Sequence, residues 1–303
     1  MKDSCLSDIN YIRISLTDKC NLRCVYCMDE DEKFEEEYIN DILSFDDYKF
    51  IIKNFAELGI KKVKFDGGEP LLYGKLSELI YYAKYICNIE DVSITTNGHN
   101  FCERALELKE SGIDSVNISI DSLKEYRYRG VTRGGNLNEV LNTFNTCLRL
   151  KIPVKISCTL IESFNDDEVF DFIQLAKNFP VDVRFVELIP SGYAKELYRT
   201  SYINTKSLIE SIDGIEPVES DINSIAKYYT MRNLKGRIGV ISSISNSFFK
   251  NGNRIRITHD GYVRLCLHGE EDIDIKQFLH KPIMFKEIIK EILLERPRTY
   301  TSI

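Results

Sequence analysis

The sequence predicts an α/β fold in which strands and helices alternate around a parallel sheet, followed by a smaller mixed α+β portion. Three observations carry that expectation. Six runs rich in β-branched and aromatic residues recur between residues 11 and 187, in alternation with runs of helical spacing. Such alternation implies parallel strands joined by right-handed crossovers. After Pro190 the rhythm breaks into short strand patterns and a hairpin signal. Six units fit either an open doubly wound sheet or a barrel, and periodicity does not choose between them. In both, the loops at the carboxyl ends of the strands are the expected site.

Taken in order, Tyr11 to Thr17 reads as the first strand, with a cysteine-containing loop after it and then an acidic stretch, Asp29 to Glu37, that reads as a solvated loop. Ser44 is a helix N-cap with Asp46 and Asp47 in the first turn. Tyr48, Ile51, Ile52, Phe55 and Leu58 recur at helical spacing, and Gly59 ends the run. Ile60 to Phe65 is the second strand, and it leads into Asp66-Gly67-Gly68-Glu69-Pro70. A helix over Leu76 to Cys87 precedes a strand over Val92 to Thr96, and a helix over Phe101 to Ser111 precedes one over Ser115 to Ile120. Leu137 to Leu150 and Asp166 to Asn178 read as helices, Val154 to Leu160 and Val181 to Glu187 as strands. Beyond Pro190, Lys227–Thr230, Gly239–Ser242 and Arg254–Thr258 look like strands. Asp260-Gly261 turns the last of these into Val263–Cys266, and a helix closes the pattern near Pro282 to Glu295.

The 303 residues suffice for a real core, and 43% hydrophobic with 29% charged residues is ordinary for a globular protein. A formal charge of −7 gives no bulk signature for nucleic acid or an anionic membrane. No apolar run approaches the roughly 18 residues of a membrane span. The polar N-terminus lacks a signal-peptide core, so a cytoplasmic location is expected. Of nine cysteines, Cys5, Cys87, Cys102, Cys147 and Cys158 are scattered singly, which is not a disulfide framework.

Three others, Cys20, Cys24 and Cys27, form a C-x3-C-x2-C cluster. Thiolates on one short loop can take three corners of a [4Fe–4S] cube and leave the fourth iron open. Zinc is the competing reading, but it usually takes a second C-x2-C or a His pair, and none lies nearby. Unligated thiols are the remaining alternative.

With Tyr26 as the aromatic residue before the last cysteine, this cluster resembles that of the radical S-adenosylmethionine (SAM) superfamily. Gly67-Gly68-Glu69-Pro70 after a strand is similar to that superfamily's second motif. The resemblance implies a partial (βα)6 radical-SAM-type barrel. It also implies that the open iron holds the amino and carboxylate groups of SAM, which one electron cleaves to a 5′-deoxyadenosyl radical. Further stretches extend the likeness over nearly the whole chain. Among them are Arg13 to Asn21, Thr95 to Gly98, Val116 to Asp121, Arg184 to Glu187, Ala226 to Tyr229 and Asn253 to Arg256. In these the chain resembles the GTP 3′,8-cyclase (MoaA) family of molybdenum-cofactor biosynthesis. On that likeness Tyr26, Gly67, Gly68, Glu69, Thr96, Ser119 and Lys155 lie at the SAM face. Arg13, Lys62, Lys64, Arg184, Arg254 and Arg256 take the places of cations that bind a triphosphate, Lys64 standing where arginine is usual. A radical SAM core over residues 1–190 and a C-terminal substrate-side portion over 191–303, covering the open face, complete the expected organisation. The implied partners are a phosphorylated small molecule and a flavodoxin or ferredoxin-type electron donor, with a homodimer allowed.

Two departures from the family pattern stand out. The family's second cluster is bound by C-x2-C-x13-C, where this chain has Phe249 and Gly252, then thirteen residues, then Cys266. One thiolate will not hold a cube, so a single cluster is expected, and the family's basis for reading guanine is lost with the other. Cys266 then reads as either a core residue or a recruited thiol, and His259 and His268 as structural or exposed in preference to proton donors. The chain also ends in Thr299-Tyr300-Thr301-Ser302-Ile303 where the family ends in Gly-Gly. Peptide modification and a non-catalytic redox sensor are the competing functions; an intact Gly-Gly-Glu-Pro speaks against the sensor.

Overall fold

A computed structural model describes residues 9–29, 43–190, 192–219, 224–242, 254–264 and 272–294. Phe249, Gly252, Cys266, His268, the chain's last residues and most of the acidic stretch after Asp29 lie outside them.

The strands β1 (Tyr11–Ser15), β2 (Lys62–Asp66), β3 (Asp91–Thr96), β4 (Ser115–Ser119), β5 (Val154–Leu160) and β6 (Asp182–Glu187) run parallel and pair in sequence order. Between them lie α1 (Phe45–Glu57), α2 (Leu76–Tyr81), α3 (Phe101–Glu110), α4 (Glu125–Thr132), α5 (Leu137–Arg149) and α6 (Val169–Asn178). β1 shows how the sequence makes this sheet. Ile12 and Ile14 are buried, while Tyr11, Arg13 and Ser15 stay half-exposed on the other face. One face of every strand therefore feeds an apolar core under the helices, and the opposite face is free to be polar. The sheet curls: Arg184 on β6 lies close enough to Tyr11 on β1 and Lys64 on β2 to perturb both electrostatically.

The helix starting at Ser44 has the expected cap, reciprocal hydrogen bonds between Ser44 and Asp47. The helix expected over Leu76 to Cys87 instead widens into a π-turn over Tyr82–Ile86. Leu79, Ile80 and Ala83 still face the core, and Tyr81, Tyr85 and Ile86 turn outward. The sequence reading had no counterpart of α4. Its residues, EYRYRGVT, carry no apolar period, and it is fixed by burying Tyr128, Val131 and Thr132.

After β6 come α7 (Ala194–Ser201), α8 (Thr205–Glu210), β7 (Glu216–Val218), β8 (Lys227–Thr230), β9 (Arg237–Ile241), β10 (Arg254–Ile257), β11 (Tyr262–Arg264), β12 (Ile273–Asp274) and α9 (Pro282–Leu294). The C-terminal strands join the same sheet at both edges. β9 pairs parallel with β6, and β10 pairs parallel with β1. The sheet order is β12-β11-β10-β1-β2-β3-β4-β5-β6-β9-β8-β7, with the outer strands antiparallel. α9 docks on α1 through Phe285, whose fully buried ring meets Phe50 and Phe55 edge-on at 5.2 and 5.9 Å. No described helix is long and apolar enough to cross a membrane.

Candidate active site

The loop after β1 carries Cys20, Cys24 and Cys27, and two backbone hydrogen bonds and one from a side chain fix it from outside. Arg23 N donates to Thr132 O at 3.2 Å and Val25 N to Val131 O at 2.9 Å, both at the end of α4, and Arg133 Nη1 donates to Met28 O at 2.9 Å. Tyr26 lies inward, its hydroxyl donating to the Asp121 carboxylate, which also accepts from Thr159 N at 2.8 Å. The loop is thus tied to the carboxyl ends of β4 and β5.

Cys24 and Cys27 share a hydrogen bond that pushes the Cys24 thiol up and the Cys27 thiol down, and burial pushes Cys20 up. No group of three or more His, Cys, Asp or Glu side chains among the described residues could hold a single metal ion. Cys20, Cys24 and Cys27 are all free and lie on the one loop, the donor set that three corners of a cube would take.

The second corner follows β2. Gly67 has φ +147°, and a Cβ on it would collide with the Thr17 carbonyl oxygen; one on Gly68 would collide with that of Lys19. The bare backbone lets Gly68 N donate to Thr17 O at 2.6 Å and Glu69 N to Lys19 O at 2.8 Å, locking this corner to the cysteine loop. Glu69 is buried and accepts from Thr96 Oγ1 at 2.7 Å, Asn97 N at 2.8 Å and Leu71 N at 3.0 Å. Burial raises its pKa to about 7, against the pull of those three donors. Thr96 ends β3. Ser119 ends β4, beside Ser157.

Deeper in the curl lie the cations. Arg256, Arg13 and Lys64 stand side by side on β10, β1 and β2. One step lower, Arg254, Tyr11 and Lys62 form a second row, with the Arg254 guanidinium 5.3 Å from the Tyr11 ring centre. Arg184 on β6 is buried and donates to Asn117 Oδ1 and, at 3.3 Å, to Ser157 Oγ. Lys155 belongs to this group, with Arg184 among its electrostatic neighbours, and has no hydrogen bond to Glu69. Burial first, then Arg184, Arg13 and Lys155, push the Lys64 ammonium well below its usual range. The Nε atoms of Arg184 and Arg256 are buried without a hydrogen-bond partner. Like charges in adjacent register and orphaned guanidinium donors are both costly unless an anion comes to them.

Several residues that shape this interior were missed in the sequence: Asp66, Asn117, Asp121, Ser157 and Tyr228. A signal for both Asn117 and Ser157 is present in the sequence, since Asn117 lies between Val116 and Ile118 and Ser157 between Ile156 and Cys158, polar residues within apolar strand runs. His259 lies 3.8 Å from Asp18 beside the cysteine loop.

Residues 14–176 match the family model described as "Radical SAM superfamily", and residues 181–302 the one described as "Molybdenum Cofactor Synthesis C". The GTP 3′,8-cyclase of Clostridium botulinum (strain Okra / Type B1) is 39% identical over 290 residues, covering 95% of this chain and 91% of the relative. The chain belongs to the GTP 3′,8-cyclase family of radical SAM enzymes. Another member, from Alkaliphilus oremlandii (strain OhILAs), is 40% identical over 302 residues, covering 99% of this chain and 94% of the relative. Among solved structures, Streptococcus suis SuiB bound to S-adenosylmethionine superposes with a TM-score of 0.62 over 97% of this chain and 66% of SuiB. At 13% identity that likeness concerns the fold alone. Membership in the family implies a [4Fe–4S] cluster and SAM, and the three thiols and the Gly67–Glu69 corner are suited to both.

Proposed function

We propose that this enzyme abstracts hydrogen from a nucleotide-like, phosphorylated substrate in a reaction akin to GTP 3′,8-cyclisation. When bound, the cluster and SAM supply the chemistry, reductive cleavage to a 5′-deoxyadenosyl radical. Cys20, Cys24 and Cys27 hold the cluster. Gly67, Gly68 and Glu69 receive the methionine ammonium, the carboxylate being the counter-charge for it. Tyr26, Thr96 and Ser119 line the same side, Thr96 by orienting Glu69. Arg13, Lys62, Lys64, Arg184, Arg254 and Arg256 hold the substrate's phosphates, and Lys155 works with them.

The observation that carries this reading is the crowd of inward-facing cations in adjacent register, with orphaned Nε donors on Arg184 and Arg256. Asp66 pairs with Arg13 and Arg256, and a substrate without anionic groups leaves the rest of that charge uncompensated. Phe249 and Gly252, standing where the family carries cysteines, support one cluster only. A flavodoxin or ferredoxin-type protein is the proposed electron donor. A cytoplasmic location goes with the free state of all described cysteines. Residues 1–190 form the radical core and 191–303 the substrate-side portion.

The test is anaerobic reconstitution, a count of iron and sulfide, and incubation with SAM, dithionite and GTP. About four irons per chain, 5′-deoxyadenosine and a cyclised GTP product are expected if the family activity is retained. Iron and 5′-deoxyadenosine without a GTP product reject GTP and turn the search to other phosphorylated metabolites. An iron-loaded protein that releases no 5′-deoxyadenosine is a sensor, and the proposal fails.

A further inference from the structure

The turn after β3 places Asn97 between the cysteine loop and the glycine corner. Its backbone N donates to Glu69 Oε2 at 2.8 Å. Its side chain reaches the other way: Nδ2 donates to Asn21 Oδ1 at 2.7 Å and to Cys20 Sγ at 3.8 Å. An amide nitrogen carries two hydrogens, one for each of these acceptors. Leu22 N donates to the same sulfur at 3.5 Å.

What aims that amide lies on its far side. Asn97 Oδ1 accepts from His99 N at 3.0 Å and sits 3.2 Å from His99 Nδ1. A backbone N–H only donates, so the oxygen faces His99 and Nδ2 faces the thiol. The same logic fixes the tautomer of the ring. Asn136 N, at the start of α5, donates to His99 Nε2 at 3.1 Å, so Nε2 is bare. The proton of the neutral ring is then on Nδ1, where it donates to Asn97 Oδ1. His99 is buried with its ring stacked on that of Tyr128, centroids 6.3 Å apart, and burial holds the imidazole below its usual range and so neutral. Every donor in this relay points one way, from Asn136 through His99 and Asn97 to Cys20.

We propose that Asn97 is a positioning residue that acts through Cys20: aimed by His99, its amide donates to the Cys20 sulfur and raises the reduction potential of the cluster which that sulfur holds. This rests on the reading that Cys20, Cys24 and Cys27 hold a [4Fe–4S] cluster, and goes beyond it. Reduction brings one electron from a donor of the flavodoxin or ferredoxin class and makes or breaks no bond. The added charge spreads onto the ligand sulfurs. A hydrogen-bond donor already pointed at one of them stabilises the reduced cluster more than the oxidised one, so the electron is more easily accepted. His99 makes no contact with the thiol and acts by holding the donor in place.

The experiment is a reductive titration of the reconstituted full chain, followed by electron paramagnetic resonance, on wild type, Asn97→Ala, Asn97→Asp and His99→Phe. At the wild-type midpoint the oxidised-to-reduced ratio is expected to rise about threefold or more in Asn97→Ala, which removes the donor without adding charge. It rises further in Asn97→Asp, which sets an anion in the donor's place. His99→Phe keeps an aromatic ring and the backbone donor, and shifts the ratio in the same direction by less. A merely structural role would lower the iron content and leave the potential of the remaining clusters where it was. An unchanged or lowered ratio in iron-loaded Asn97→Ala overturns the proposal. If the Asn97 variants take up no iron, nitrogen NMR of His99 in the cluster-free wild type decides: a proton on Nδ1 upholds the relay, and one on Nε2 overturns it. A wild type that takes up no cluster refutes the cluster assignment itself, an outcome distinct from an unchanged potential in loaded variants.

Discussion

The amide of Glu69 donates to the carbonyl oxygen of Lys19 at 2.8 Å, so the residue that ends the glycine corner also holds the start of the cysteine loop. Cluster loop and carboxylate are one mechanical unit. A side chain on Gly68 would drive into that same Lys19 carbonyl. Gly68→Ala is expected to keep the fold by circular dichroism and to lose more than about half of its reconstituted iron, since a shift of about 1 Å in a supporting contact is enough to spoil a site. Full iron content in that variant would mean the loop adapts independently.

Glu69 gives a pH signature. Its carboxyl is raised from 4.5 to about 7 by burial, so the folded state holds a proton there that the unfolded state has released. Stability of the cluster-free protein then falls as pH rises from 4.5 through 7, by about 3 kcal/mol relative to a variant that cannot titrate. Urea unfolding of wild type and Glu69→Gln at pH 5 and pH 8 measures this. Equal pH dependence in the two proteins would place the burial cost elsewhere.

Lys64 makes the opposite contribution. Its ammonium is pushed down by burial and by Arg184, Arg13 and Lys155, so the unfolded chain binds the proton more readily and ligand-free stability rises with pH toward the ordinary lysine range. Lys64→Met removes that dependence and is expected to stabilise the ligand-free fold by about 1 kcal/mol or more, while weakening phosphate binding. A variant that is less stable and still binds phosphate would show that Lys64 is only a packing residue.

Much of this was legible locally. Tyr11-Ile12-Arg13-Ile14-Ser15 announces a strand with one apolar and one polar face, and that face is where Arg13 is found. The cysteine spacing and Gly67-Gly68-Glu69 are short-range patterns whose geometry is set within a few residues. What sequence did not show is which distant segments meet. Asp66 reads as part of a glycine turn until β10 is placed beside β1 and brings Arg256 to it. Lys155 reads as a companion of Glu69 until register puts it beside Asn117 and Asp182, low on the strand. Asp121 becomes a tether only when the cysteine loop folds Tyr26 onto it. Periodicity reveals a face; parallel pairing across the chain decides what that face looks at.

The seating of β1 between β2 and β10 has a consequence for how the molecule is made. On the ribosome, the strand that leads into the cysteine loop emerges well before β10, and one of its edges stays bare until β10 is synthesised. β6 likewise waits for β9. An unfinished chain therefore presents two open β-edges to its neighbours, a state prone to misassembly. The loop that carries Cys20, Cys24 and Cys27 therefore has its supporting strand paired on both edges only once β10 is in place.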